Sequence, residues 1–287
     1  MLMTTLGVQM MMLKDEVARD GMYSVLERIK DLGYESVEVS QIPLDEPNTR
    51  DLERGVAELG LTVGALSVAL KKTPTATGDA LDEDFGKVVS DCRRLGVRFV
   101  RIGMMPFDAM ASKQACEAWG RECEEAARRL GAEGVTLCYH NHHVDLAQFD
   151  GERIFDIVRR VAPSLRFEVD LHWVQRGGMN PLDMLKEYAG MCKLIHVKDY
   201  RVVPLPPENM RLLEDGTPEA RAEFMRRFAL LPQFAEVGAG NMNWPELLPA
   251  ALEAGAEHFF VEQDELYGRD PFDCLADSRA YLRSIGY

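Results

Sequence analysis

The chain has 287 residues, 46 % of them hydrophobic and 28 % charged, with a formal net charge of −14 and a pI near 5.0. That balance suits a globular protein with a sizeable core and excludes a disordered or fibrous one. It also argues against a nucleic-acid partner, because phosphate binding needs clustered Lys and Arg.

Six cysteines are scattered along the chain (Cys92, Cys116, Cys123, Cys138, Cys192 and Cys274) with no Cys-x-x-Cys pair. They are expected to be reduced thiols of a cytoplasmic protein. No run approaches the roughly 20 apolar residues of a membrane helix. Residues 1–13 are apolar and Met-rich, lack a basic flank and lead at once into an acidic helical pattern. They are expected to carry a first strand, with Leu6-Gly7-Val8 in it, and not a signal peptide.

From there the pattern alternates. A helix is expected over 15–32, stopped by Gly33. Strand 36–39 leads to helix 49–59 and Gly60, and strand 62–68 leads to helix 79–95. Strand 98–102 precedes helix 112–130, strand 135–140 precedes helix 152–161, and strand 165–170 precedes helix 181–189. Strand 193–197 is the seventh and 258–262 the eighth, and helix 271–285 closes the chain. Glycines after helices fit left-handed C-terminal caps. Eight strand–helix units over one unbroken chain predict a single-domain (β/α)₈ TIM barrel. An open doubly wound sheet would need a Gly-rich phosphate turn after the first strand, and there is none. One segment breaks the rhythm. Residues 201–233 begin Pro-rich and turn helical from about 218 to 230, an insertion after the seventh strand. Its length marks it as a lid or as a contact in a homo-oligomer.

Active sites of such barrels sit at the C-terminal ends of the strands. The fifth strand ends in His140-Asn141-His142-His143, and the sixth in Glu168-Val169-Asp170 followed by His172 and Trp173. The seventh ends in His196-Val197-Lys198-Asp199, and the eighth in Glu262-Gln263-Asp264. The first three strands show no such endings. Alternation puts His140 with His142, Glu168 with Asp170, and His196 with Lys198 on shared faces. If these faces point inward, two imidazoles and two carboxylates converge. Such a mixed N/O set suits one divalent ion: Mn²⁺ first, with Mg²⁺, Co²⁺, Fe²⁺ or Zn²⁺ as alternatives. Glu168 is expected to pair with Arg101 inside the barrel. Lys198 is expected either to meet substrate or to form an ion pair. Trp173, Phe107 and Trp244 are placed either on a sugar face or in packing.

These endings, with Val237-Gly238-Ala239-Gly240-Asn241-Met242-Asn243-Trp244 before one helix and Phe260-Val261-Glu262-Gln263-Asp264 before the last, resemble the xylose-isomerase-like sugar isomerase/epimerase superfamily. That group includes ketose 3-epimerases, hydroxypyruvate isomerase, inosose dehydratase and apurinic endonucleases. The resemblance spans nearly the whole chain. It implies a (β/α)₈ barrel and a metal held by His140, Asp170, His196 and Glu262. Members usually carry Glu at the fifth-strand position, where this chain has His140. The usual pair of acid/base carboxylates is therefore incomplete here, and His142 is the alternative ligand.

The chemistry expected is proton abstraction beside a carbonyl of a sugar or polyol, giving an enediolate that the ion stabilises. Glu262 is the first candidate base, with His140, His142 or His172 returning the proton. His172, Trp173, Lys198 and Glu236 are the candidate substrate-binding residues. The segment from Glu236 to Asn241 offers backbone N–H groups to a phosphate. With no Lys or Arg beside it, an ordinary turn and an unphosphorylated substrate are expected. Isomerisation or epimerisation is the leading expectation. A dehydratase on the same scaffold comes second, and a non-catalytic sugar-binding barrel third.

Overall fold

The computed structural model describes residues 5–73 and 78–287. Eight parallel strands run Thr5–Gln9, Ser36–Val39, Thr62–Val68, Phe99–Ile102, Thr136–His140, Arg166–Asp170, Cys192–Val197 and His258–Val261. They pair in chain order, and the first bonds both the second and the eighth, which closes the barrel. Each strand follows the expected periodicity because its outward residues are branched or aromatic. Val37, Val100, Ile102, Leu137, Tyr139, Val169 and Ile195 pack there against the surrounding helices.

The inward residues form two layers. Ala65, Phe99, Cys138, Leu194 and Phe260 make a small apolar cluster separate from the main core. Two positions further along four of those strands stand Arg101, His140, His196 and Glu262, projecting to the same side. The barrel thus has an apolar floor and a charged layer above it, at the C-terminal ends where catalytic groups of this fold gather.

Local deviations from the sequence reading have local causes. The helix expected over 15–32 is two helices, Lys14–Asp20 and Met22–Asp31, because Gly21 adopts φ +83° between them. The helix expected from 49 begins at Glu46: Asp45 caps it through the Asn48 N–H, and Pro47 fits the first turn. The helix expected from 79 begins only at Phe85, since Ala80 bridges to Ala69 and its N–H donates to Asp84. A two-residue hairpin, 148–149 with 152–153, delays the next helix to Ile154. The sixth strand passes directly into an unexpected short helix, Leu171–Arg176, capped by the Asp170 carboxylate, before Pro181–Glu187. Within residues 1–13 the strand Thr5–Gln9 is followed by a 3₁₀ turn, Met10–Leu13, and residues 1–4 lie outside the described residues.

The insertion is more ordered than its composition suggested. Antiparallel strands Asp199–Val202 and Pro232–Ala235 carry helices Glu208–Asp215 and Pro218–Ala229. Pro204, Pro206 and Pro207 obscured the first of these helices, which Pro207 in fact starts. The insertion exposes Val202, Met210, Leu213, Met225, Phe228 and Leu230. All six cysteines are buried free thiols. Among the described residues no helix is long and apolar enough to cross a membrane.

Candidate functional site

Four strand ends deliver their side chains to one place. His140, Asp170 and His196 each offer a ligand atom, and these atoms lie within 4.8 Å of one another. Glu262, just past the eighth strand, brings its Oε2 to 2.8 Å from His196 Nδ1, while Asp170 Oδ2 is 3.7 Å from the same nitrogen. His140, Asp170 and His196 are at most 2 % exposed and Glu262 is 4 % exposed. His140 Nδ1, Asp170 Oδ2, His196 Nδ1 and Glu262 Oε2 are all buried without a directed hydrogen bond, although they stand in close ionic contact. Asp170 Oδ2, His196 Nδ1 and Glu262 Oε2 face one another, His140 Nδ1 lies 3.4 Å from Glu168 Oε2, and the mixed N/O donors of these four residues fit a cation ligand set.

The surroundings set the charge state of each group. Burial pushes the His140 imidazole well below its usual range, and His196 and His142 push it further, so it stays neutral. Burial likewise takes His142 down to about 4 and His172 to about 3. Burial raises the Glu262 carboxyl, but His196 and Lys198 outweigh it and hold Glu262 well below the carboxylate range. At Asp170 burial is likewise outweighed, by Lys198 and His196. His196 runs the other way: burial opposes its charge, but Glu168, Glu262 and Glu38 hold its pKa well above that of a free imidazole. A neutral imidazole and two ionised carboxylates are ready donors, whereas His196 must release a proton to bind metal.

Each ligand is fixed by its neighbours. Gln9 Nε2 donates to Glu262 Oε1 at 2.8 Å, across the seam where the barrel closes. Asp170 Oδ1 accepts from the Trp173 N–H at 2.8 Å, and Asn141 bonds the Asp170 backbone through both ends of its amide. Asp145, buried and pushed up to about 6 by that burial, accepts from the Tyr139 hydroxyl and the His142 N–H, anchoring the turn after the fifth strand. Lys198 Nζ is 3.1 Å from Asp170 Oδ2, 2.5 Å from Glu262 Oε2 and 3.0 Å from Asp264 Oδ1. Of the two roles expected for Lys198, the ion pair is the one visible in the structure.

Below the candidate ligands lies a second charged group that the strand endings did not reveal. Glu38, on the second strand, is fully buried and contacts Arg101 at 2.7 Å and His196 Nε2 at 3.3 Å. Arg101 does approach Glu168, at 3.4 Å, but Glu38 is its closer partner. Glu38 sits one residue short of its strand's end, flanked by two valines. Its signal was an acidic residue at an inward position of an otherwise apolar strand.

A cleft of about 1420 Å³ opens over this centre. His140, His142, Lys198, Glu262 and Asp264 line its polar side, and the loops after the first, second and fourth strands supply Met11, Ile42, Met104 and the 74 % exposed Phe107. His172 and Trp173 pack at the side of the site. The His172 ring stacks on Phe234 and meets Tyr200 edge-on, both contributed by the insertion hairpin, and none of its ring nitrogens has a hydrogen-bond partner. Lys198 Nζ lies 5.2 Å from the Trp173 ring. Glu236 pairs with Arg269 at 2.6 Å. The Gly238 and Met242 N–H groups of the following loop donate to Asp199, as does the Trp244 indole, so Trp244 is part of the packing. That loop is an ordinary turn wrapped around a carboxylate.

The model of one protein family, described as the xylose isomerase-like TIM barrel, matches residues 26–285. The chain belongs to the xylose isomerase-like TIM barrel family. Among solved structures, a sugar phosphate isomerase/epimerase from Parabacteroides distasonis ATCC 8503 aligns with a TM-score of 0.69 at 20 % identity, covering 98 % of this chain and 94 % of that one. The probable 3-DHS dehydratase AsbF of Bacillus anthracis aligns with a TM-score of 0.65 at 12 % identity, covering 98 % of each chain. The IolI protein with a bound zinc atom aligns with a TM-score of 0.66 at 16 % identity, covering 98 % of this chain and 97 % of that one. No curated protein sequence matches. Identities this low carry the xylose isomerase-like fold and leave substrate and reaction to be argued from the site.

Proposed function

We propose that this protein is a divalent-metal-dependent isomerase or epimerase that moves a proton on the carbon skeleton of a sugar or polyol. The observation that carries the proposal is the convergence of His140, Asp170, His196 and Glu262 at the inner end of an open cleft. The layer is also acidic: burial and Glu38 push the Glu168 carboxyl up to about 8, but Glu38, Asp170, Glu262 and Asp264 outnumber the permanent cations Arg101 and Lys198 beside them. A divalent ion, Mn²⁺ in this reading, would supply Lewis-acid stabilisation of negative charge developing on a sugar oxygen. The zinc named with the IolI structure supports a divalent metal in this reading.

The remaining chemistry belongs to the chain. Glu262 is ionised and lines the cleft, so it takes the proton from carbon. Gln9 on one oxygen and Lys198 on the other fix its direction. His142 lines the cleft as well, and its buried Nδ1 has no partner. It is the group best placed to hold or return a proton at a second position. His172, shielded by Phe234 and Tyr200, is a wall of the site in this scheme, with Trp173 beside it as a face for sugar C–H groups. Lys198 orients substrate oxygens once it is shared with the ion's carboxylates.

The test is a metal-supplemented screen of ketoses, keto-glycosides and inososes in deuterated water. Wild-type protein incorporates solvent deuterium at carbon. Glu262→Gln keeps the fold by circular dichroism and loses incorporation by about three orders of magnitude, the scale of a general base. Incorporation at the wild-type rate in that variant removes Glu262 from the scheme. A dehydratase reading takes its support from the fifth strand: His140 stands where the family resemblance implies a carboxylate, leaving Glu262 as the base with neutral imidazoles beside it. Product mass decides between the two, since elimination loses water and isomerisation conserves mass.

A further inference from the structure

We infer that Glu38 is a positioning residue for the metal centre: its carboxylate accepts the Nε2–H of His196 and so presents Nδ1 of that ring to the ion. This rests on the metal reading above.

The ring lies between two groups of carboxylates. Its Nδ1 faces Glu262 Oε2 at 2.8 Å and Asp170 Oδ2 at 3.7 Å, whereas its Nε2 faces Glu38 at 3.3–3.4 Å. Glu168 Oε2 is also 3.3 Å from Nε2, but neither Glu168 oxygen makes a directed hydrogen bond. The Glu38 contact does. A ring nitrogen cannot serve a metal and carry a proton together, so the two sides of the imidazole have separate tasks.

Glu38 is built to stay where it is. It is fully buried, and Arg101 grips its Oε1 through Nε at 2.9 Å and through Nη2 at 2.7 Å. Nη2 also donates to Ser40 Oγ at 3.2 Å. The second strand therefore reaches across the barrel axis to set the ring carried by the seventh. Partners of this kind on metal-bound imidazoles fix orientation and raise ligand basicity, and losing one typically weakens metal binding 10–100-fold.

The experiment measures Mn²⁺ and Zn²⁺ affinity by chelator competition for wild type, Glu38→Gln and Glu38→Met, together with the thermal transition of each metal-free protein. Glu38→Met is expected to bind about 10–100-fold more weakly. Glu38→Gln, which keeps an acceptor oxygen, recovers part of that loss. A purely structural role would lower the metal-free transition in both and leave affinity alike. If the variants fail to fold, nitrogen-labelled histidine in the wild-type protein loaded with an NMR-active cadmium isotope gives the answer. Coupling of cadmium to Nδ1 of His196, with a slowly exchanging proton on Nε2, is the result expected. Coupling at Nε2, binding of a second ion by Glu38, or wild-type affinity in folded Glu38→Met would each overturn the inference while leaving the metal reading intact. A wild-type protein that binds no divalent ion overturns both.

Discussion

Asp199→Asn tests the architecture around the mouth separately from the metal. Asp199 accepts four hydrogen bonds, two on each oxygen: Tyr200 N at 2.8 Å and Met242 N at 3.1 Å on Oδ1, Gly238 N at 3.0 Å and Trp244 Nε1 at 2.9 Å on Oδ2. An amide at this position turns its NH₂ toward two of those donors, whichever way it is placed. Each orphaned buried donor costs about 1–3 kcal/mol. Removing a buried carboxylate, whose ionisation burial already opposes, returns part of that. A net loss of roughly 3 kcal/mol is the working figure. Unfolding entropy near 2.1 cal/mol/K per residue, applied to a chain of this length, converts each kcal/mol to about 2 °C. Thermal unfolding of the metal-free variant by circular dichroism is therefore expected about 5–6 °C below wild type, with an altered near-ultraviolet signal from Trp244. A variant melting within a degree of wild type would mean that these donors do not depend on Asp199.

Metal removal should show in the same assay. Protein stripped by a chelator and then given an ion at about 100 times its dissociation constant regains roughly 2.7 kcal/mol, or about 4–5 °C, and an unchanged transition counts against the centre. Gly7→Ala should be among the most damaging single methyl additions, because a Cβ there would lie 2.5 Å from the Ser36 carbonyl oxygen, which cannot move out of the way. Little folded protein is expected, and a variant with normal yield and stability refutes the packing argument. His258, at the opposite end of the barrel interior, is pushed down to about 4 by burial, with Arg98 adding to the effect. Its folded pKa lies below its unfolded one, so its stabilising contribution is full above the unfolded pKa near 6.5 and is lost as pH falls toward 4. Stability should fall over that window in wild type and less steeply in His258→Gln, and parallel curves would exclude His258 as a source.

The fold was legible because alternating strands and capped helices are local patterns, and the eight strands lie within a residue or two of where periodicity puts them. The convergence of the candidate ligands was legible for a related reason: His140, Asp170, His196 and Glu262 each stand at a strand end, where the barrel's geometry gathers side chains. What was hidden depends on contacts between distant segments. Gln9 and Glu262 meet only because the first strand closes against the eighth. Glu38 becomes a partner of His196 only when the second and seventh strands face each other across the axis. Phe234 and Tyr200 reach His172 through a hairpin whose two strands are separated by about thirty residues, a pairing no local pattern announces. The short helix at Leu171–Arg176 was missed because six residues are too few to show a period.

The greasy plug formed by Ala65, Phe99, Cys138, Leu194 and Phe260 closes off the barrel interior beneath the charged layer. The cleft that reaches the charged layer opens past Phe107 and His142 on the other side. If the proposed ion and sugar bind there, the sugar covers the ion, so the ion would enter first and leave last.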